Sequence, residues 1–437
     1  MKSNPKPRKI KVVTLGCPKN VVDSENLMKQ IKTRSIELIH ETSTDPADTV
    51  IINTCGFIRE AKEESIDTIL KYVEEKKSGR IRNLTVIGCL SERYKDDLRT
   101  EIPEVDRYFG VHNLREIVRS LGTDFKKELV GERHPITPDH YAYLKISEGC
   151  DRTCAFCTIP LIRGKHVSKP VEIVVREAET MVNKGVKEIM IIAQDLSSYG
   201  LDLYKKQKLK DLLMELANIR NLEWIRLHYA YPARFPQDIL PLMREKKNIC
   251  PYLDIPVQHI SENILRRMRR GSSQKEILEL ITIIRDTVPN IALRTSLMVG
   301  HPGETEKEFE ELVNFVNKVK FDRLGVFTYS HEEDTYGYSH YRDDIPEEVK
   351  TARKDRLMEI QQQISMDLNN NKIGKSFKVI VDGWEGDYYT GRTAFDSPEI
   401  DNEVLIKRES TELRTGEFYR VKITGADAFD LYGERCE

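Results

Sequence analysis

The chain has 437 residues, 39% of them apolar and 32% charged, with 69 basic against 71 acidic side chains. That length amounts to two or three ordinary domains, each able to bury a core. The near balance of charge excludes a protein whose whole surface is built to hold nucleic acid, although a local basic patch stays open. No apolar run approaches the ~20 residues of a membrane helix. The basic N-terminus (Lys2, Lys6, Arg8, Lys9, Lys11) leads into an apolar stretch, 10–15, too short and interrupted for a signal peptide. A soluble, cytoplasmic protein is the expectation.

Up to about residue 138 short apolar runs alternate with longer amphipathic ones. Residues 10–15, 50–52 and 84–87 read as strands, and 58–75 as a helix in which Ile58, Ala61, Ile66, Ile69, Leu70 and Val73 recur at helical spacing. Strands alternating with helices imply a parallel sheet. Residues 124–139, with Gly131, Pro135 and Pro138, read as a linker. From 140 to 372 six strands are expected (143–147, 188–193, 224–229, 252–256, 291–299, 324–329), separated by helices such as 171–184 and 304–319. Six strand–helix units in succession predict a partial TIM-like barrel, with its chemistry at the C-terminal strand ends. A polar helix over 346–371 follows. The last 64 residues are short and β-rich (377–381, 388–392, 403–406, 418–423), which predicts a small β-barrel.

The eight cysteines carry most of the functional signal. In a chain this long, three of them within eight residues read as metal ligands or redox thiols rather than disulfides. Cys150, Cys154 and Cys157 form C-x3-C-x2-C just after the first strand of the second region. A closed structural zinc site wants four ligands. Three thiolates with no fourth cysteine nearby suit a [4Fe–4S] cluster with one iron open, the condition for chelating a co-substrate. This spacing on a barrel's first loop resembles the radical S-adenosylmethionine (SAM) family. The competing reading is a zinc loop completed by a distant histidine such as His166.

Cys17, Cys55 and Cys89 are far apart in sequence but each sits just after a predicted strand. Parallel neighbours would bring all three thiols to one sheet edge, where open α/β sheets bind ligands. Gly16, Gly56 and Gly88 flank them and leave room for a bulky group. A second three-thiolate [4Fe–4S] cluster is therefore expected. The plainer alternative is three small buried side chains. Cys250 and Cys436 lack such a context and read as structural.

Two tri-cysteine sites in this order, followed by a small β-barrel, resemble the methylthiotransferase family of radical SAM enzymes over essentially the whole chain. In that resemblance residues 1–138 correspond to a methylthiotransferase domain, 139–372 to a radical SAM domain and 373–437 to a TRAM domain. Asn53-Thr54-Cys55-Gly56-Phe57-Ile58, Ala61-Lys62-Glu63-Glu64-Ser65, Leu144-Lys145-Ile146-Ser147-Glu148-Gly149-Cys150, Ile192-Ala193-Gln194-Asp195 and Ser397-Pro398-Glu399-Ile400-Asp401 resemble the branch that modifies a ribosomal protein rather than tRNA. The resemblance implies methylthiolation of the β-carbon of an aspartate in small-subunit ribosomal protein twelve. One SAM would give its methyl to sulfur held at the Cys17, Cys55, Cys89 cluster. A second would be cleaved at the Cys150, Cys154, Cys157 cluster, fed by an electron donor such as flavodoxin or ferredoxin, and its radical would take the substrate hydrogen.

Further residues at predicted strand ends are candidates to hold SAM: Gln194, Asp195, Gln258, Arg294 and Ser296, with His259 beside them. Their alternative role is stability inside the barrel. Arg266, Arg267, Arg269 and Arg270 form a basic helical stretch, ordinarily a solvated face, with contact to ribosomal RNA as the functional alternative. From 374 to 437 there are nine basic and fourteen acidic residues, net −5. That acidity suits a basic protein partner better than phosphates. The rivals are a tRNA methylthiotransferase with the same clusters and a zinc protein that binds RNA.

Overall fold

A computed structural model describes residues 7–129, 131–408 and 412–436; Lys2 and Lys6 lie outside them. Contacts divide the chain into two compact units. The first comprises 1–136 together with two short pieces from further along, 148–151 and 158–166; the second holds the rest.

The N-terminal unit is built on five parallel strands, β1 (Arg8–Thr14), β2 (Ile36–Ile39), β3 (Thr49–Thr54), β4 (Asn83–Gly88) and β5 (Arg107–Tyr108), in the order β2-β1-β3-β4-β5. Central β3 is buried at every residue, as a parallel strand covered on both faces must be. Val50 and Ile52 enter one core with Ile69, Val73 and Leu84, while Ile51 enters the other with Val12, Leu27 and Ile87. That split follows from the two-residue period of a strand. β2 and β5 carry no clear sequence signal: β2 is a half-exposed edge strand and β5 only two residues long. The expected linker is not free. Arg133 pairs with buried Glu25 at 3.1 Å, and the His134 and Ile136 amides also donate to Glu25.

The second unit contains six parallel strands in sequential order: β6 (Tyr141–Lys145), β7 (Glu188–Ile192), β8 (Trp224–Leu227), β9 (Ile249–Asp254), β10 (Ala292–Val299) and β11 (Arg323–Thr328). Alternate residues (Leu144, Ile191, Ile225, Leu253, Leu293, Val326) face helices such as Val171–Val182, Leu209–Ala217 and Glu306–Val319 in one continuous core. The polar helix is Glu347–Asn370. Behind it β12 (Ser376–Glu385), β13 (Tyr388–Thr393), β14 (Val404–Lys407), β15 (Phe418–Ala426) and β16 (Leu431–Arg435) close into a barrel. The fold is thus the expected parallel α/β sheet, six-stranded open barrel and small β-barrel, with the strand β16 as an addition.

The inward residues that begin the open-barrel strands are strongly polar, and the small barrel supplies their partners. Glu188 accepts from Arg226 and Arg392, both at 2.8 Å, and all three are essentially solvent-free. Arg392 continues to Asp382, which also holds His140. From the loop between β13 and β14, Asp396 meets Arg323, Glu399 accepts from Tyr141 and Tyr143, and Asp401 accepts from Arg294 and Tyr252. The loop therefore plugs the N-terminal end of the open barrel. Four acids of the net-negative tail, Asp382, Asp396, Glu399 and Asp401, are engaged inside the chain. Its acidity is correspondingly weaker grounds for a basic partner than the sequence suggested.

Candidate cluster sites

Register explains how three distant cysteines come together. Thr14 pairs with Asn53, Asn53 with Ile87, and Thr54 with Gly88, so β1, β3 and β4 end level. Cys17 then caps the helix Pro18–Ile31, with proline at the first position where its missing N–H is harmless. Cys55 follows Thr54 directly, and its backbone is clamped by Ser65, whose Oγ accepts from the Cys55 amide and donates to the Cys55 carbonyl. Cys89 opens the helix Cys89–Arg93 after Gly88, which adopts φ +99°. Gly16 has φ +85°, and a Cβ there would lie 2.6 Å from the Cys55 Cβ and 2.9 Å from its Sγ. That glycine is needed both for its conformation and for the approach of the first loop to the second thiol.

Cys55 and Cys89 are buried. Burial pushes the Cys55 thiol up, and pushes Cys89 up to about 12. The Arg163 guanidinium opposes this at both, while neighbouring Cys17 adds to it at both. Three thiolates that repel one another in a buried pocket need a positive partner to be held as thiolates. An iron–sulfur cluster supplies that charge, and this donor set fits one. Among the described residues no three His, Cys, Asp or Glu side chains gather tightly enough for a single metal ion. A cubane is less demanding, since its thiolates bind three different irons and form a wider triangle.

Of the second motif, Cys150 belongs to the first compact unit and Cys154 and Cys157 to the second. In the N-terminal unit, the Cys150 amide donates to the Gly164 carbonyl at 3.1 Å, and Gly149, at φ +76°, has no room for a Cβ against residues 164 and 165. His166, the alternative ligand, donates its amide to Asp151. In the second unit, Ala155 is stitched on both sides: its amide donates to Met268 and its carbonyl accepts from Gly337. Cys154 Sγ lies 3.4 Å from the Tyr231 hydroxyl and receives Arg270 Nη1 at 3.4 Å. Arg270 and Arg152 lie over the Tyr231 ring, each 4.1 Å from its centroid. Donors aimed at thiolate sulfur also suit a cluster, whose electronics depend on such bonds.

The basic stretch is corrected here. The helix Glu262–Arg267 ends before Arg270, and Arg269 has φ +56°, so the chain turns and Arg270 points inward, 5% exposed. Arg267 donates to the Pro302 carbonyl and covers Tyr341; Arg269 covers Tyr336. The run is not one solvated face.

The candidate SAM residues fall at the barrel's C-terminal end or within its lumen. Asp195 is 1% exposed, caps the turn at Ser197, and accepts from Arg152 Nε at 2.8 Å, so it steadies the cluster loop. Gln194 lies beside it, two residues past the end of β7. Gln258, at φ +74°, donates its amide to Ser296 and accepts from the Met298 amide. Arg294 points the other way, to Asp401 at 2.6 Å. His259 is solvent-free and stands 3.5 Å from Glu304, which also holds Arg353. Cys250 lies in an apolar seam with Trp224, Tyr252, Ala292 and Ile380, and burial pushes its thiol up to about 12. Cys436 lies near the Ser376 hydroxyl. Sequence reasoning missed Arg152, Arg163 and Tyr231, and gave Arg270 the wrong environment; the contacts that define them span tens of residues.

Residues 144–316 match the radical SAM superfamily, 9–110 the uncharacterized protein family UPF0004, and 373–436 the TRAM domain. In fold the chain is similar to the radical SAM methyltransferase TsrM from Kitasatospora setae (TM-score 0.56, 13% identity, 73% of this chain and 72% of that one). Among curated proteins it is 55% identical to the ribosomal protein uS12 methylthiotransferase RimO of Phocaeicola vulgatus, over 97% of this chain and 98% of the relative. To the protein of that name from Flavobacterium johnsoniae it is 54% identical, over 98% of each. At such identity over nearly the full length, the chain belongs to the RimO family of ribosomal protein uS12 methylthiotransferases, within the radical SAM superfamily.

Proposed function

We infer that the chain is a radical SAM methylthiotransferase that places a methylthio group on the β-carbon of an aspartate of ribosomal protein uS12. The observation that carries this is the level ending of β1, β3 and β4, which gathers Cys17, Cys55 and Cys89 in a chain that also holds a complete C-x3-C-x2-C motif. A radical enzyme that only cleaved SAM would need the second set alone. Transfer of a methylthio group needs sulfur kept nearby, and a second trio of thiolates supplies a place for it.

Three blocks divide the work: 1–138 for the sulfur-carrying cluster, 139–372 for SAM cleavage and 373–437 for the plug and partner contacts. A [4Fe–4S] cluster held in the middle block would supply the binding place for the amino-acid end of SAM and the electron for its cleavage. Cys150, Cys154 and Cys157 hold that group, while Arg270 and Tyr231 fix Cys154 from outside the cluster. Asp195 orients Arg152 and so fixes the loop between Cys150 and Cys154. Gln194, Asp195, Gln258 and Ser296 line the SAM pocket, with Asp195 anchored at the same time to Arg152, whereas Arg294, turned to Asp401 at the opposite end of the barrel, serves the plug instead. Flavodoxin or ferredoxin is the donor class, and the cytoplasm the compartment.

Intact-mass analysis of uS12 from cells with and without the gene tests this. A methylthio-sized gain that depends on the gene is the expected result. An unchanged uS12 mass, with a methylthiolated nucleoside missing from tRNA instead, would move the same chemistry to a different substrate.

A further inference from the structure

Arg163 follows Cys157 by six residues, yet its segment, 158–166, packs within the N-terminal unit. The side chain is 3% exposed. Nη2 donates to Asn20 Oδ1 at 2.6 Å and to Cys89 Sγ at 3.3 Å; Nη1 donates to Asp23 at 2.6 Å and reaches Glu148 at 3.4 Å. Asn20 in turn donates to the carbonyls of Leu15 and Thr54, the residues just ahead of the Cys17 and Cys55 positions. One guanidinium and one amide therefore reference all three cysteine-bearing loops.

We propose that Arg163 is a positioning residue for the Cys17, Cys55, Cys89 cluster: it fixes the Cys89 sulfur and supplies the buried positive charge that the cluster experiences. The inference rests on reading those three cysteines as one cluster's ligands. A guanidinium keeps its charge even when buried, because it is too weak an acid to give up its proton in a protein. Iron–sulfur potentials follow net charge, hydrogen bonds to sulfur and exposure. A fixed cation donating to a ligand thiolate favours the more negative, reduced cluster and raises its potential. Asp23 partly neutralises that cation, so removing each partner acts with opposite sign.

The test uses the full chain carrying Cys154→Ala and Cys157→Ala, so that the first cluster alone loads, reconstituted anaerobically with iron and sulfide. Bound iron is measured, and a redox titration is followed by electron paramagnetic resonance. R163Q should shift the reduction equilibrium at least tenfold toward the oxidised form, about 59 mV for one electron. R163K should recover part of the shift, and D23N should move it the other way. An unmoved midpoint in an iron-retaining R163Q overturns the proposal, as does a shift of the same sign in R163Q and D23N. Should R163Q fail to hold iron, D23N decides: an upward midpoint supports the proposal, and an unmoved or lowered one overturns it. A parent chain that binds no iron would instead overturn the reading of the first cysteine set itself.

Discussion

The N-terminal unit assembles its thiols from three separate strand ends, whereas the second motif draws all of its thiols from one stretch of eight residues. The first arrangement exists only when β1, β3 and β4 are paired in register, so cluster capture there is coupled to folding of the sheet. The second needs a short loop to be docked, and its ties at Ala155, Cys154 and Gly149 do that work. Both give one cysteine sulfur a buried arginine donor, Arg163 to Cys89 and Arg270 to Cys154, each from a residue distant in sequence. The lesson is that spacing in sequence announces a site of the second kind fully. For a site of the first kind it gives only an address.

The sharpest way to break the comparison is to remove thiols one set at a time. Ala at Cys150, Cys154 or Cys157 should abolish 5′-deoxyadenosine formation and remove about half of the bound iron. Ala at Cys17, Cys55 or Cys89 should remove the other half, spare SAM cleavage and lose methylthio insertion. Equal loss of cleavage from both sets, with the fold intact by circular dichroism, would mean that the two sets do not divide the labour.

The next largest effect concerns the N-terminal end of the barrel. Glu188 is buried between Arg226 and Arg392, and Glu188→Gln leaves two desolvated guanidiniums short of a counter-charge. Breaking a buried pair this way costs ~3–5 kcal/mol. Urea unfolding of the apoprotein should show the loss as a lowered midpoint at unchanged slope. A neutral result would mean that the ion triad joining Glu188 to Arg226 and to Arg392 of β13 contributes little to holding the barrel.

Which parts were legible follows the same physics. The apolar runs of β3, β6, β7 and β8 are buried at every residue and stood out for that reason, while the more exposed β1, β10 and β11 still carried enough apolar residues to be read as strands. β2 and β5 were missed because an exposed edge and a two-residue strand leave no periodic pattern. The six cysteines could be singled out as candidates because thiols after strands and at C-x3-C-x2-C spacing are rare patterns with chemical consequences. Their supporting shell could not: Arg270 sits in a basic run that looks solvated until Arg269 turns the chain, and Arg163 resembles any loop arginine. The plug was half visible, since 397–401 was singled out as a motif, but its partners on β6, β9 and β10 are set by tertiary structure.

A smaller effect separates conformational strain from crowding at the first site. Gly16 and Gly79 have similar φ, +85° and +77°, but a Cβ at Gly79 meets nothing within 4 Å while one at Gly16 meets Cys55. Gly79→Ala should cost ~1–2 kcal/mol of stability and leave iron untouched. Gly16→Ala pays that conformational cost too, and should also displace Cys55 and lower iron at the first set. Equal iron content in the two variants would show that the first loop has more slack than its geometry indicates.

The smallest expected effect belongs to Cys250, as buried as any ligand but placed in the seam between Trp224, Tyr252 and Ile380. Burial raises its pKa, and although the Arg226, Arg392 and Lys378 charges oppose that shift while Glu188 adds to it, burial wins. Cys250→Ala removes one sulfur from a packed core and should cost ~1 kcal/mol, a shift of a few degrees in Tm. Bound iron and SAM cleavage should not change. A loss of iron in this variant would show that burial at a barrel strand is enough to recruit a thiol, and would remove the distinction between a cysteine at a strand end and one inside a strand on which both cluster assignments depend.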